Sequence, residues 1–200
     1  MRPRKILIGT NNLHKAAEIR KILAEYTIVT PNELGITLDV EEIGATFAEN
    51  AILKARAFCK VSGMITIADD SGLEVDALDG APGIHSHRYS PDPEATDADR
   101  RNWLIRNLQG KERPWTGRFR SAVAVSFPEN STTEVVFGTV EGEVIDHDRG
   151  KGGFGYDAIF LVPERGLTLA EMNEEQKNEI SHRGRAIEKI GLILQAYFMD

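Results

Sequence analysis

Lys5-Ile-Leu-Ile-Gly-Thr-Asn-Asn-Leu-His-Lys15 reads as a buried strand that turns directly into a helix. From Leu13 onward, Ile19, Ile22, Leu23 and Tyr26 recur on one helical face. The reverse order follows. Thr46-Phe-Ala-Glu49 is a capping box in which Thr46 accepts from a free backbone N–H while Glu49 reaches back. It starts a second helix that glycine ends near Ser62-Gly63. Met64-Ile-Thr-Ile-Ala68 is then a second buried strand. It is predicted to deliver Asp69-Asp70-Ser71-Gly72 at its carboxyl end, where the sites of α/β sheets collect.

Working outward, the turn formers from Ala81-Pro-Gly83 to Pro93 predict a structured surface loop. A third helix covers Asp97 to Leu108, with Thr96 as N-cap and Gly110 as stop. Arg118 to Phe127 alternates, placing Phe119, Val123, Val125 and Phe127 on one face. Thr133 to Ile145 carries Val136, Val140 and Val144 in phase, which predicts an antiparallel pair joined by the turn Pro128-Glu-Asn-Ser131. The glycine cluster Gly150-Lys-Gly-Gly153 precedes a short strand around Ala158 to Val162. A final helix from about Arg183 to Tyr197 presents Ile187, Ile190, Leu194 and Tyr197 to the core. No repeat or linker divides the chain, so residues 1–200 read as one domain.

Composition narrows the function classes. With 41% hydrophobic and 28% charged residues, the 200-residue chain can bury a sizeable core and offset its ordering entropy. Its 24 basic and 31 acidic residues leave a net charge of −7, which disfavours a broad grip on a nucleic acid backbone. One cysteine, Cys59, excludes an intrachain disulfide and a cysteine-based zinc knuckle, and its helical neighbours Ala55 and Phe58 predict a buried thiol. The start, Met1-Arg-Pro-Arg-Lys-Ile, runs into an apolar stretch of about five residues, too short for a signal-peptide core or a membrane span. A soluble cytoplasmic protein is expected.

Several constellations could carry chemistry. Thr10-Asn-Asn-Leu-His-Lys15 directs backbone N–H groups and a helix dipole at whatever lies over the turn, as an anion site requires. It lacks the glycines and the Lys-Ser/Thr ending of a P-loop. Taken alone, helix capping by Asn11 or Asn12 is the commoner use of such a turn. Glu41-Glu42 and Asp69-Asp70 are two carboxylate pairs, and oxygen-only ligands suit Mg²⁺ or Mn²⁺ rather than zinc. Taken alone, Glu41-Glu42 reads better as solvated loop charge, whereas a turn accounts for Asp69-Asp70-Ser71-Gly72 as well as a metal does. Asn50 and Lys54 share a helix face, from which Lys54 reaches either a phosphate or solvent. Phe154-Gly155-Tyr156-Asp157 combines an aromatic ring with a carboxylate, as a planar heterocycle bearing a ring N–H would need; a strand start with Phe154 in the core is the plainer alternative. Ser181-His182-Arg183-Gly184 opens the last helix with cationic residues, an unfavourable placement that favours a functional role. Lys177 lies on the approach. His14, His85, His87 and His147 show no paired metal-ligand spacing.

In this order the motifs resemble, over nearly the whole chain, the inosine triphosphate pyrophosphatase family, also called XTP/dITP diphosphatases. The resemblance rests on Thr10-x-Asn12-x-x-Lys15, Glu41-Glu42, Thr46-Phe-x-Glu-Asn50 with Lys54, and Ala68-Asp-Asp-Ser-Gly-Leu73. It continues through Gly80-x-Pro-Gly83 with Ser86-x-Arg-Tyr89, Gly152-Gly-Phe-Gly-Tyr-Asp157 and Ser181-His-Arg-Gly184. It implies an α/β fold with a long mixed central sheet flanked by helices, two lobes around an active-site cleft, and a homodimer. The implied activity is Mg²⁺-dependent hydrolysis of inosine and xanthosine triphosphates and their deoxy forms to monophosphate and pyrophosphate, removing them from the nucleotide pool. Asn11 departs from a usual glycine and is expected to take a left-handed turn. His87 replaces a usual small residue.

The implied roles agree with the chemistry of hydrolysis at the α-phosphorus. Glu42 and Asp70 would hold the metal, and Asp70 would act as general base, with Asp69 as the alternative. Thr10, Asn11, Asn12, Lys15, Lys54 and Ser71 would bind phosphates. Phe154, Gly155, Tyr156 and Asp157 would form the base pocket, with Lys177, His182 and Arg183 donating toward a 6-oxo group. Such a polarity leaves buried groups unpaired against adenine. Two other classes compete: a non-catalytic purine nucleotide sensor, with little reason to keep both carboxylate pairs, and an RNA-binding module, disfavoured by charge.

Overall fold

The computed structural model describes residues 4–129 and 132–199. The first three residues, and Asn130 and Ser131 of the turn expected over Pro128–Ser131, lie outside the described residues. Strands β1 (Lys5–Ile8), β2 (Thr27–Val29), β3 (Thr66–Val75), β4 (Trp115–Ser126), β5 (Thr133–Val144), β6 (Phe160–Val162) and β7 (Leu167–Thr168) form one sheet in the order β2-β1-β3-β4-β5-β6-β7. β1 runs parallel to β2 and to β3, with Leu7 opposite Thr66 and Ile8 opposite Ile67, whereas β5, β6 and β7 pair antiparallel. The sheet is therefore mixed, and the α/β class read from the sequence holds. Helices α1 (Leu13–Ile22), α2 (Phe47–Ser62), α3 (Asp97–Leu108), α4 (Glu174–Ile180) and α5 (His182–Met199) accompany it.

Local chemistry sets the helix ends. Thr46 Oγ1 accepts from Glu49 N at 3.2 Å, but the Glu49 carboxylate bonds Ala45 N rather than the N-cap amide, one residue beyond the expected box. Gly63 closes α2 at φ +64° and returns its N–H to Cys59. Thr96 and Asp99 make a reciprocal box at the start of α3. Two expectations change. α1 stops at Ile22, so Tyr26 follows a turn instead of sharing the helical face. β3 does not stop at Ala68 but continues to Val75, so Asp69, Asp70, Ser71 and Gly72 lie in mid-strand, because β3 is hydrogen-bonded to β4 as well as to β1.

The chain forms two compact units, the first comprising Met1–Asp70, Ser121–Gly138 and His182–Asp200, the second Ser71–Arg120 and Thr139–Ser181. Each has its own core. Ile6, Ile8, Ile19, Ile67, Val123, Ile187, Ile190 and Leu194 fill the first. Leu73, Leu104, Leu108, Phe160 and Leu169 fill the second. At about 1.5–3 kcal/mol per fully buried large aliphatic or aromatic side chain, each cluster is a substantial source of stability. The face expected to carry Phe119 with Val123 and Val125 is divided, Phe119 packing in the second core and the valines in the first.

Candidate active site

The turn after β1 is organised by its own side chains. Thr10 Oγ1 accepts from Asn12 N at 3.1 Å, and Asn12 Oδ1 caps α1 by accepting from His14 N and Lys15 N at 3.0 and 3.2 Å. Asn12 is thus the cap as well as a candidate ligand, and Asn11 is exposed beside it. Asn11 does not take the left-handed conformation expected of it. Among the described residues, Asp79 is the non-glycine with positive φ.

Strand pleat separates the two neighbouring aspartates, since successive side chains point to opposite faces. Asp69, with a wholly buried side chain, meets Lys15 Nζ at 2.6 Å, the Ser121 hydroxyl, and Arg183 Nε and Nη2 at 3.4 Å. Burial opposes its charge, but Arg183 and Lys15 hold the carboxyl well below the usual carboxylate range. Burial lowers the Lys15 ammonium against the pull of Asp69. Arg183, expected at a base oxygen, also gives Nη1 to Glu18 Oε2 at 2.5 Å and is 2% exposed. His182 begins α5 and is buried as well.

Asp70, on the other face of β3, accepts from Asn50 Nδ2 at 3.1 Å and from Lys54 Nζ at 3.3 Å. The same ammonium lies 2.6 Å from Glu42. The shared face of Asn50 and Lys54 read from their spacing is what brings both to Asp70. Burial raises the Asp70 carboxyl, and the Glu42 charge raises it further against the opposing Lys54. Burial works against the Lys54 ammonium, but Asp70 and Glu42 keep it above its ordinary value. Glu41 is exposed, whereas its neighbour Glu42 is half-buried against Lys54.

One ammonium bridging Glu42 and Asp70 shows that a single cation can engage both carboxylates. Among the described residues no group of three His, Cys, Asp or Glu forms a complete metal cage. Two hard oxygen ligands, with phosphate oxygens and water to complete the shell, are how Mg²⁺ is commonly held beside nucleotides, so these residues fit the ion.

The second unit holds the other cluster. Asp157 Oδ2 accepts from Phe154 N and from Lys177 Nζ, both at 2.8 Å, and the ammonium lies 4.8 Å from the Phe154 ring centroid. Gly153 sits at φ +68°, where a Cβ would collide with the Asp157 carboxylate. Tyr156 is a core residue whose hydroxyl donates to the Ser86 carbonyl at 2.9 Å. Ser71 is half-buried on β3. Lys177 is buried on α4, a helix absent from the sequence expectation although Asn173 and Gln176 form its capping box. Glu18 and Ser121 join the site through Arg183 and Asp69, and no local sequence pattern marks either one.

The chain is 46% identical over 192 residues to a dITP/XTP pyrophosphatase of Listeria monocytogenes, covering 93% of this chain and 92% of that protein. It is 41% identical to the Bacillus subtilis dITP/XTP pyrophosphatase, over 96% and 98% of the two chains. The solved structure of a HAM1 protein from Coxiella burnetii superposes with a TM-score of 0.87 at 39% identity, covering 96% of this chain and 98% of that one. Residues 6–191, a span that contains both side-chain clusters, match the model of the Ham1 family, and this chain belongs to that family.

Proposed function

We propose that the chain hydrolyses inosine, deoxyinosine and xanthosine triphosphates to the monophosphate and pyrophosphate, clearing them from the nucleotide pool. Full-length likeness to proteins named dITP/XTP pyrophosphatase supports the reading. The observation that carries it is the division of labour between Asp69 and Asp70. One is bound by three donors while the other faces Glu42 and a shared cation position.

Bound Mg²⁺ would neutralise triphosphate charge and acidify a coordinated water, with Glu42 and Asp70 as its protein ligands. Asp70 takes the proton of the attacking water as its oxygen bonds to the α-phosphorus and the bond to the leaving pyrophosphate breaks. Asn50 orients that carboxylate. Thr10, Asn11 and Asn12 shape the phosphate turn, and Lys15, Lys54 and Ser71 contribute donors to it. Asp69 holds Lys15 and Arg183 in place. Phe154 stacks on the purine, Asp157 accepts from the ring N–H, and Lys177 donates to the 6-oxo oxygen. His182 and Arg183 are assigned as further donors, which the five N–H groups of a guanidinium permit alongside the ion pairs of Arg183. Adenine reverses both polarities and leaves these groups unpaired. A homodimer in the cytoplasm completes the proposal, and sedimentation velocity tests the dimer. Among the described residues no helix is long and apolar enough to cross a membrane.

A panel of purine triphosphates with pyrophosphate detection, with and without chelator, tests the reading. Pyrophosphate release from the inosine and xanthosine substrates that chelator abolishes is expected. Equal release from ATP overturns the base assignment, and release in excess chelator overturns the metal.

A further inference from the structure

The loop carrying Phe154 and Asp157 is held from outside by a helix to which nothing above gives a role. Asp97, in the first turn of α3, accepts from Gly155 N at 2.7 Å through Oδ2. Arg101, one turn further along the same face, donates to Gly155 O at 2.9 Å through Nη1. The two contacts take the N–H of the peptide before Gly155 and the carbonyl of the peptide after it. Both side chains are braced in turn: Arg100 Nη2 lies 2.5 Å from Asp97 Oδ1, and Arg101 makes a two-point pair with Asp148 at 2.9 and 2.6 Å. Gly155 has φ +60°, and a Cβ there would meet nothing within 4 Å. A side chain there would face open space, and the peptide groups of Gly155 are engaged by these two side-chain bonds, while its neighbours Tyr156 and Asp157 are held by the core and by Lys177.

We propose that Asp97 and Arg101 are positioning residues for base recognition, clamping both peptide groups of Gly155 so that Phe154 and Asp157 stay in register with the purine. The inference rests on the assignment of the Phe154–Asp157 loop to the base. It extends that site to α3, which touches no proposed ligand. The clamp acts on the nucleoside end, so it alters recognition of the base and leaves the phosphate-binding residues of the first unit unaffected.

The test measures inosine monophosphate and pyrophosphate binding separately by calorimetry in wild type, Asp97→Ala, Asp97→Asn, Arg101→Ala and Arg101→Lys, with thermal melts as a check on folding. Asp97→Ala and Arg101→Ala should weaken inosine monophosphate about tenfold, the scale of a lost hydrogen bond to a charged group, with pyrophosphate affinity held within about twofold. Asp97→Asn retains an acceptor oxygen and should recover most of the loss, whereas Arg101→Lys, lacking the planar fork, should recover less. Unchanged inosine monophosphate affinity in both alanine variants, or a parallel fall in pyrophosphate affinity, overturns the clamp. If the variants do not fold, amide exchange in the wild-type chain decides: the Gly155 N–H should be protected despite its loop position, and rapid exchange overturns the proposal. Failure of the wild type to bind inosine monophosphate would instead remove the function reading while the exchange result still stood.

Discussion

Asn50 Nδ2 donates to Asp70 Oδ2 at 3.1 Å, while Asn50 Oδ1 accepts from Gly44 N at 2.8 Å. One fully buried amide thereby ties the Glu42 segment to the carboxylate on β3. Asn50→Leu, close in volume, leaves a donor and an acceptor unpaired and should cost about 1–3 kcal/mol. Urea denaturation should show the loss, and turnover should fall with it. A variant of wild-type stability would show that water replaces both bonds.

The two aspartates should separate by readout. Asp70→Asn should retain the fold and lose turnover. Asp69→Asn weakens the buried pairs with Lys15 and Arg183, for which a loss of roughly 3 kcal/mol is expected. In a chain of this size that lowers the melting temperature by roughly 6–12 °C. Paired thermal melts and pyrophosphate assays check both. A melting temperature that falls more for Asp70→Asn than for Asp69→Asn would reverse the assignment.

Asp99 gives a pH dependence of defined sign. The Thr96 hydroxyl and the Thr96 backbone N–H both donate to its carboxylate and lower its pKa in the fold. The folded state therefore binds this proton more weakly than the unfolded state. The contribution is present above the ordinary Asp value of about 3.9 and is lost as pH falls from there through the folded value. The difference in urea midpoint between wild type and Asp99→Asn should shrink across that window. A constant difference would show that the charge of Asp99 plays no part.

Gly138→Ala should be among the most damaging small substitutions. A Cβ there would overlap the carbonyl of His182 and lie 2.9 Å from Ala186 N, both backbone atoms of α5 that cannot swing aside. The expected cost is about 3 kcal/mol or more. Soluble yield and circular dichroism of the variant would check it, and a protein of wild-type stability would show that α5 can shift.

Features encoded by a few adjacent residues were legible in the sequence. Thr46 and Gly63 bound α2 because capping is chemistry within one turn, and Lys54 came to Asp70 through simple helical spacing. The full length of β3 is not legible locally, because Ser71 and Gly72 look like a turn and its continuation depends on a neighbouring strand more than forty residues away. The same non-locality hid Glu18, which meets Arg183 across 165 positions, and Ser121, which meets Asp69 across 52. β2 is three residues long and α4 seven, too short for a periodic signal. Alternation along β4 indicated which side chains share a face, but not that Phe119 and Val123 serve different cores.

The composition of the first core bears on how the chain is made. Ile6, Ile8 and Ile19 leave the ribosome early, but the surface they cover is closed by Ala186, Ile187, Ile190 and Leu194 of α5. During synthesis at about 5–20 residues per second, those early apolar side chains wait roughly 10–35 seconds for their partners. Neither unit is an uninterrupted stretch of chain, and the first lacks its last segment until the whole of the second has been made. The unprotected interval falls on the first strand and helix, and it is there that a chaperone would be expected to bind the nascent protein.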